Sequence, residues 1–155
     1  MRELDALLAE VPLFAGLGAE ELQLLAGCAS NVRFDEGQVV FREGDPAETF
    51  YVVRSGAVAL EAHAPARGEL TIETLGAGDV LGWSWLFAPY RWHFDARALS
   101  RVRATAFDAT CLRAKCDDDT ALGYDLMKRF AQVMIERLQW TRLRLLDVYG
   151  QVPGR

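Results

Sequence analysis

The 155 residues of this chain are enough for one domain, and a hydrophobic fraction of 51% allows that domain a substantial core. The formal net charge is −5 and no sustained basic stripe is present, which argues against DNA binding by this chain alone. No apolar stretch approaches the roughly 20 residues of a membrane-spanning helix, and the N-terminus lacks the pattern of a secretory signal. We therefore expect a cytoplasmic protein that does not interact with a membrane.

The cysteines point to the same compartment. Three are present, Cys28, Cys111 and Cys116, and no two of them form a C-x-x-C pair. An odd number at wide spacing is typical of free thiols rather than of a disulfide framework. The sequence thus predicts that all three are reduced.

Two short helices are predicted before any strand. Leu4, Leu7 and Leu8 recur at helical spacing within residues 3–9, and a second apolar stripe occupies residues 19–29. Helices this short are not stable alone. They should therefore pack on the domain that follows them.

A β pattern begins at residue 31, where short apolar runs recur about every 8–12 residues between Gly, Pro, Asp and Asn. The predicted strands are 32–34, 39–41, 50–54, 57–62, 70–75, 80–81, 94–99, 102–107 and 111–113. Many short strands at this spacing indicate a sandwich, jelly roll or barrel. We predict a mainly β fold with flanking helices, in which a double-stranded β-helix jelly roll has about eight strands.

The segment from Gly78 to Leu99 is rich in aromatic residues and holds three of the four tryptophans. Its residues 82–86 read as a sharp turn that opens into a short helix, which Pro89 ends. Such a turn points backbone N–H groups into a cavity and can cradle an anion. Any one of the aromatic residues is better explained as core, but the cluster favours the lining of a binding pocket.

A long helix is predicted after Cys116. The three aspartates at 117–119 favour a helix start, and the helical pattern continues to about Tyr149. A helix of about 30 residues is roughly 45 Å long, which exceeds the width of a small domain. We therefore divide the chain into residues 1–116, the N-terminal helices and jelly-roll ligand-binding domain; 117–150, the long helix; and 151–155, a tail.

The long helix also carries a seam of the coiled-coil kind, with side chains that recur at steps of three and four residues. The seam consists of Met127, Ala131, Met134, Leu138, Thr141, Leu145 and Val148. Its surplus length needs a partner, and a second copy of the chain is the simplest one, so the sequence predicts a homodimer. Arginines 137, 142 and 144 are predicted to form the solvated face of the helix.

Two stretches resemble the cyclic-nucleotide-binding domain family. Residues 39–58 combine an apolar strand, the turn Glu43-Gly44-Asp45-Pro46-Ala47, a second apolar strand and a glycine hairpin. Residues 75–82, LGAGDVLG, look like the start of that family's phosphate-binding cassette. The resemblance covers roughly residues 5–148 and is strongest in layout to the catabolite-activator type of regulator. It implies a ligand-binding regulatory module that dimerises through the long helix, and the helix-turn-helix of those regulators has no counterpart before Arg155.

The ligand contacts that the resemblance implies are altered. Trp83 stands where the family has a glutamate that holds the ribose hydroxyl, and Trp92 stands where it has the arginine that pairs with the cyclic phosphate. His93 replaces a small polar residue, and the nearby carboxylate of Asp95 would repel a phosphate. Arg91 could replace the missing arginine only after a one-residue slip. We therefore expect weak binding of cAMP or cGMP, or none. The candidate ligand-binding residues are Gly82, Trp83, Ser84, Trp85, Arg91, Trp92, His93 and Asp95.

These residues suggest three candidate functions. The first is a regulatory sensor with an altered pocket, which would bind an unidentified small molecule and pass a signal to a protein partner. The second is a dimeric interaction module that has lost its ligand. The third is a metal enzyme of the cupin kind, which the presence of only two histidines disfavours. The sequence therefore predicts no catalytic residues, no metal site and no cofactor, and His93 is expected to be structural.

Overall fold

A computed structural model describes residues 2–66 and 68–150. The helices are α1 (Arg2–Ala9), α2 (Ala19–Ala26), α3 (Ala109–Asp118) and α4 (Thr120–Gly150). The strands are β1 (Ala29–Phe34), β2 (Val39–Phe41), β3 (Thr49–Ser55), β4 (Val58–Ala64), β5 (Gly68–Leu75), β6 (Val80–Leu81), β7 (Asp95–Ala98) and β8 (Val102–Asp108). Two short 3₁₀ turns cover Pro12–Phe14 and Ser84–Leu86. The predicted tail at 151–155 lies outside the described residues.

The strands form two antiparallel four-stranded sheets, with the orders β1-β8-β3-β6 and β2-β7-β4-β5. Consecutive strands tend to lie in opposite sheets, so the chain winds between the two layers. This arrangement, with helices at both ends of the chain, confirms the jelly roll and flanking helices that the strand spacing predicts.

The core lies between the sheets and extends to the helices. Phe50 of β3 stacks on Phe107 of β8 with ring centroids 4.6 Å apart, and on Trp85 at 4.9 Å. Phe130 of α4 meets Phe50 edge-on at 5.2 Å. Because Phe130 packs among these rings, the first half of α4 is part of the core of the jelly roll. Offset and edge-on aromatic pairs of this kind stabilise beyond their buried area.

One predicted strand is wrong. Residues 111–113 lie in α3, whose first turn is capped by the Asp108 carboxylate as it accepts a hydrogen bond of 3.0 Å from the Cys111 amide. An N-terminal cap of this kind supplies a partner for a helical N–H that otherwise lacks one. A three-residue apolar run is too short to distinguish a strand from a buried turn of helix. In this chain the Asp108 cap favours the helix.

The prediction of three reduced cysteines is also wrong. Cys28 and Cys111 form a disulfide across a sequence separation of 83, while Cys116 is a free thiol. The cause is the pairing of β1 with β8, which places Ala29 opposite Phe107. The Asp108 amide donates to the Cys28 carbonyl at 2.8 Å, so the closing of the sheet brings together two cysteines that are distant in the sequence.

Candidate functional site

The aromatic segment begins where β6 ends. Val80 and Leu81 pair with β3, and Gly82 then turns the chain with a φ of +97°. The 3₁₀ turn Ser84–Leu86 follows directly. The turn predicted from the sequence is thus present, and its positive φ explains why a glycine stands at this position.

The indole of Trp92 lies directly over this turn. A Cβ added to Gly82 would overlap Cζ3 and Cη2 of Trp92, so the ring rests against the glycine backbone. The ring also stacks on Phe41, with centroids 3.8 Å apart and planes 5° from parallel. Trp92 is only 4% exposed. The space beside Gly82, at the start of the turn that the sequence predicts to cradle an anion, is therefore occupied by a side chain of the protein itself.

The loop that carries Trp92 is held by the turn at residues 43–47. The Gly44 amide donates to the Trp92 carbonyl at 2.8 Å, and the Trp92 amide donates to the Asp45 carbonyl at 3.0 Å. The Ala47 amide donates to the Tyr90 carbonyl at 2.7 Å. These three backbone hydrogen bonds fix which way the Trp92 ring points.

Three of the predicted ligand residues face this turn or solvent instead of the cradle. The Arg91 guanidinium donates to the Gly44 carbonyl at 2.7 Å and is exposed. The Asp95 carboxylate accepts from the Glu43 amide at 2.7 Å. His93 is exposed. Side chains alternate in direction along this loop. Arg91 and His93 therefore point away from the side on which Trp92 is buried.

Ser84 and Trp85 are buried with the core. Trp85 lies between Phe50 and Phe130, and its Nε1 has no hydrogen-bond partner among the described residues. Its carbonyl accepts from the Arg113 guanidinium at 2.6 Å, which links the 3₁₀ turn to α3. The guanidinium of Arg113 also lies 4.4 Å from the centre of the Tyr90 ring.

Trp83 is half-buried and lies against Arg137, which the sequence predicts to be solvated. The Arg137 guanidinium of α4 lies 5.1 Å from the centre of the Trp83 ring and donates to the Val80 carbonyl. Burial lowers the pKa of Arg137, although the carboxylates of Glu73 and Asp79 act in the opposite direction. One of its terminal nitrogens, Nη1, is buried without a partner among the described residues.

A signal for Arg137 was present in the sequence. Phe130, Val133 and Arg137 follow one another at steps of three and four residues, which places them on one side of a helix. Arg144, seven residues further along, similarly donates to the Ile72 carbonyl. Arginines 137 and 144 therefore connect α4 to the jelly roll. The prediction of a solvated side chain is wrong for Arg137, whose guanidinium reaches a backbone carbonyl of the domain, whereas Arg142 and Arg144 are exposed as predicted.

A cavity of about 650 Å³ lies along the same side of α4. It is bordered by the turn from β5 to β6, by Pro12 and Leu13, and by the α4 side chains Gln132, Glu136 and Trp140. None of the eight predicted ligand residues lines it. The cavity is thus separate from the cradle beneath Trp92.

The opposite side of α4 carries an exposed apolar stripe whose members recur at spacings of three and eight residues. Its members are Tyr124, Met127, Ile135, Leu138 and Leu146. Of the predicted seam, Met127 and Leu138 lie on this stripe and Ala131 continues it. Met134 is half-buried against the core, and the Thr141 hydroxyl donates to the Arg137 carbonyl at 2.9 Å. The side chains of Leu145 and Val148 lie outside the described residues.

Within residues 2–66 and 68–150, no three of His, Cys, Asp and Glu approach closely enough to hold a metal ion. No helix in the same part of the chain has the length and apolar character needed to cross a membrane.

Comparison with known proteins gives one consistent picture. Residues 31–119, more than half of the chain, match the family model of the cyclic nucleotide-binding domain. The chain is 29% identical over 153 residues to a CRP-like cAMP-activated global transcriptional regulator of Mycobacterium tuberculosis, an alignment that takes in 98% of this chain and 66% of that protein. It is also 29% identical over 104 residues to a cAMP-dependent protein kinase regulatory subunit of Schizosaccharomyces pombe, covering 67% of this chain and 24% of that one.

Solved structures agree. A cyclic nucleotide-binding protein from Geobacter metallireducens superposes with a TM-score of 0.79 at 28% identity, covering 89% of this chain and 99% of that one. The N-terminal domain of a transcriptional regulator from Streptomyces coelicolor gives a TM-score of 0.69 at 27% identity, covering 95% of this chain and 96% of that one. The chain spans 66% of the length of the mycobacterial regulator that it resembles.

Proposed function

This chain belongs to the cyclic nucleotide-binding domain family, and we propose that it is a regulatory sensor module whose phosphate cradle is closed by its own Trp92. In this proposal, cAMP and cGMP do not bind at the cradle. The observation that carries it is the position of the Trp92 ring, which stacks on Phe41 and rests on Gly82.

The chemistry of the replaced side chains supports the proposal. An indole has one N–H donor and no charge, so it cannot replace a guanidinium that pairs with a phosphate or a carboxylate that accepts from a hydroxyl. Each charge-assisted hydrogen bond contributes about 1.5–3 kcal/mol, so losing two costs roughly 3–6 kcal/mol of binding free energy. A loss of that size lowers affinity by about a hundredfold or more.

The same proposal includes a homodimer that forms through α4. The exposed stripe on α4 includes Leu138, whose side chain is 60% exposed, and a second copy of the chain would cover it. In a homodimer built on this stripe, a change at the 3₁₀ turn reaches α4 through Trp83 and Arg137, which lie in contact. The module then acts in the cytoplasm as a non-enzymatic regulator that passes the movement of α4 to a protein partner.

The test is calorimetric titration of cAMP and of cGMP into the wild type and into the variant Trp83→Glu/Trp92→Arg. We expect a wild-type Kd weaker than about 100 μM, and an affinity at least about tenfold higher in the variant, because both charge-assisted contacts are restored. Asp95 is kept, since its carboxylate holds the Glu43 amide at 2.7 Å.

The matched control is Trp83→Glu/His93→Arg. It introduces the same two side-chain types but places the arginine on the exposed neighbour and leaves Trp92 over Gly82, so no gain in affinity is expected. Saturable wild-type binding of cAMP well below 100 μM, indifferent to substitution of Trp92, would refute a closed cradle. Mass spectrometry of small molecules released from the native protein separates a sensor of another ligand from the alternative, a ligand-free interaction module.

A further inference from the structure

Helix α3 contacts both the aromatic segment and α4. Arg113 of α3 donates to the Trp85 carbonyl at 2.6 Å and lies over the Tyr90 ring. At the other end of α3, the Cys116 side chain and carbonyl lie so close to Gly123 of α4 that an added Cβ would be 3.1 Å from both. A change in the position of α3 therefore acts on the aromatic segment and on α4 together.

The first turn of α3 is tied to the jelly roll by the disulfide. Cys28 directly precedes β1 and is buried, whereas Cys111 is half-buried. Their Cα atoms are 5.7 Å apart. The same turn is also held by the Asp108 cap at 3.0 Å, by the Ala109 amide, which donates to the Glu48 carbonyl at 2.9 Å, and by the burial of Leu112.

The third cysteine is poorly suited to exchange with this bond. Burial raises the pKa of Cys116, and the carboxylates of Asp117 and Asp119 raise it further. The thiolate is the nucleophile in disulfide exchange. Cys116 therefore stays largely protonated near neutral pH, and the Cys28–Cys111 pair can open and close without rearranging to a second pairing.

We propose that the Cys28–Cys111 disulfide is a reversible redox switch that sets how firmly α3 is held and thereby couples the thiol–disulfide state of the cell to α4. This inference rests on the cytoplasmic regulator proposed above. In that compartment disulfides of mesophilic proteins are usually transient and catalytic or redox-sensing, and no catalytic role is assigned to this pair.

The chemistry is a two-electron exchange with a dithiol reductant. A thiolate of the reductant attacks Sγ of Cys111, the more accessible partner, and breaks the S–S bond with Cys28 as the leaving thiolate, which takes up a proton. The second thiol of the reductant then displaces Cys111 from the mixed disulfide. The reductant leaves as its own disulfide, and Cys28 and Cys111 remain as two thiols. Oxidation by a small disulfide reverses the sequence.

The test begins with Cys116→Ser, which removes the third thiol and serves as the reference protein. Its thiols are counted by maleimide labelling after equilibration with mixtures of oxidised and reduced dithiothreitol. We expect none in the oxidised form, two in the reduced form, and recovery of none on reoxidation, all in protein that keeps native circular dichroism.

The functional readout is hydrogen exchange. In the reduced form we expect amide exchange to accelerate at least about tenfold in residues 109–118 and at the start of α4, while β3 and β4 remain the slowest segments to exchange, because α3 then opens locally at a free energy below that of global unfolding. Cys28→Ser/Cys111→Ser/Cys116→Ser should match the reduced form. If it does not fold, reduced Cys116→Ser gives the same comparison.

Two results would overturn the switch. One is reduced protein whose exchange in residues 109–118 and at the start of α4 equals that of the oxidised protein. The other is a bond that opens only when the whole domain unfolds. Neither depends on cAMP, so a failure of the switch is distinguishable from failure of the closed cradle, which the calorimetry of the oxidised protein measures separately.

Discussion

Gly82 and Trp92 form a matched pair at the end of β6. The glycine adopts a φ of +97°, which any other L residue adopts only with strain, and the space where a side chain would stand is occupied by the indole. Two independent costs therefore oppose a side chain at position 82. They can be separated because another glycine, Gly37, has a φ of +85° with nothing within 4 Å of an added Cβ.

We expect Gly82→Ala to lower the free energy of unfolding by about 3 kcal/mol, through backbone strain and overlap with the indole. Gly37→Ala, the control, should cost only about 1 kcal/mol because it adds strain alone. Urea unfolding measures both. In a Trp92→Ala background the cost of Gly82→Ala should fall toward the control value. An undiminished cost there would show that Trp92 does not rest on Gly82.

At the scale of elements, α4 has two different sides. One packs Leu126 and Phe130 into the core, and the other presents the stripe that contains Ile135 and Leu138, which are 49% and 60% exposed. An apolar stripe of this extent on a helix longer than the domain favours association with a second helix.

Leu138→Glu should convert the proposed homodimer to monomers, because it places a charge in the middle of the stripe from which a second copy would exclude water. Sedimentation velocity gives the mass, and circular dichroism should be unchanged because Leu138 is exposed within one chain. Leu143→Glu is the matched control, since Leu143 is 54% exposed but lies off the stripe, and it should remain dimeric. A monomeric wild type, or equal masses for the two variants, contradicts this assignment.

For the whole molecule, the disulfide closes a loop that contains nearly the entire jelly roll. The separation of 83 residues between Cys28 and Cys111 includes β1 to β8. A cross-link of this span restricts the unfolded chain strongly, and the chain-entropy relation gives a stabilisation of roughly 4–5 kcal/mol before any native-state strain.

Reduction should therefore lower the free energy of unfolding by about 2–5 kcal/mol. The measurement is urea unfolding of Cys116→Ser with and without dithiothreitol, so that the third thiol cannot contribute. The control is Cys28→Ser/Cys111→Ser/Cys116→Ser, whose stability should not respond to the reductant. Identical unfolding midpoints for oxidised and reduced Cys116→Ser would contradict a stabilising bond.

Local patterns were sufficient for most of the architecture. The spacing of apolar runs predicts the jelly roll, the residues around Gly82 predict the turn, and the helical periodicity after Cys116 predicts α4. In the structure α4 begins at Thr120, and its start is capped as the Asp119 carboxylate accepts from the Leu122 amide at 3.1 Å. These features depend on neighbours within a few residues, so the sequence contains the interactions that form them.

Three features of the molecule depend on the tertiary structure. The turn at residues 43–47 binds the loop of Trp92 and so points the indole at Gly82 and Arg91 away from it. The pairing of β1 with β8 joins Cys28 to Cys111. The docking of Phe130 sets the rotation of α4, so that Ile135 rather than Met134 lies on the exposed stripe. Each depends on contacts between residues far apart in the chain, which no local pattern encodes.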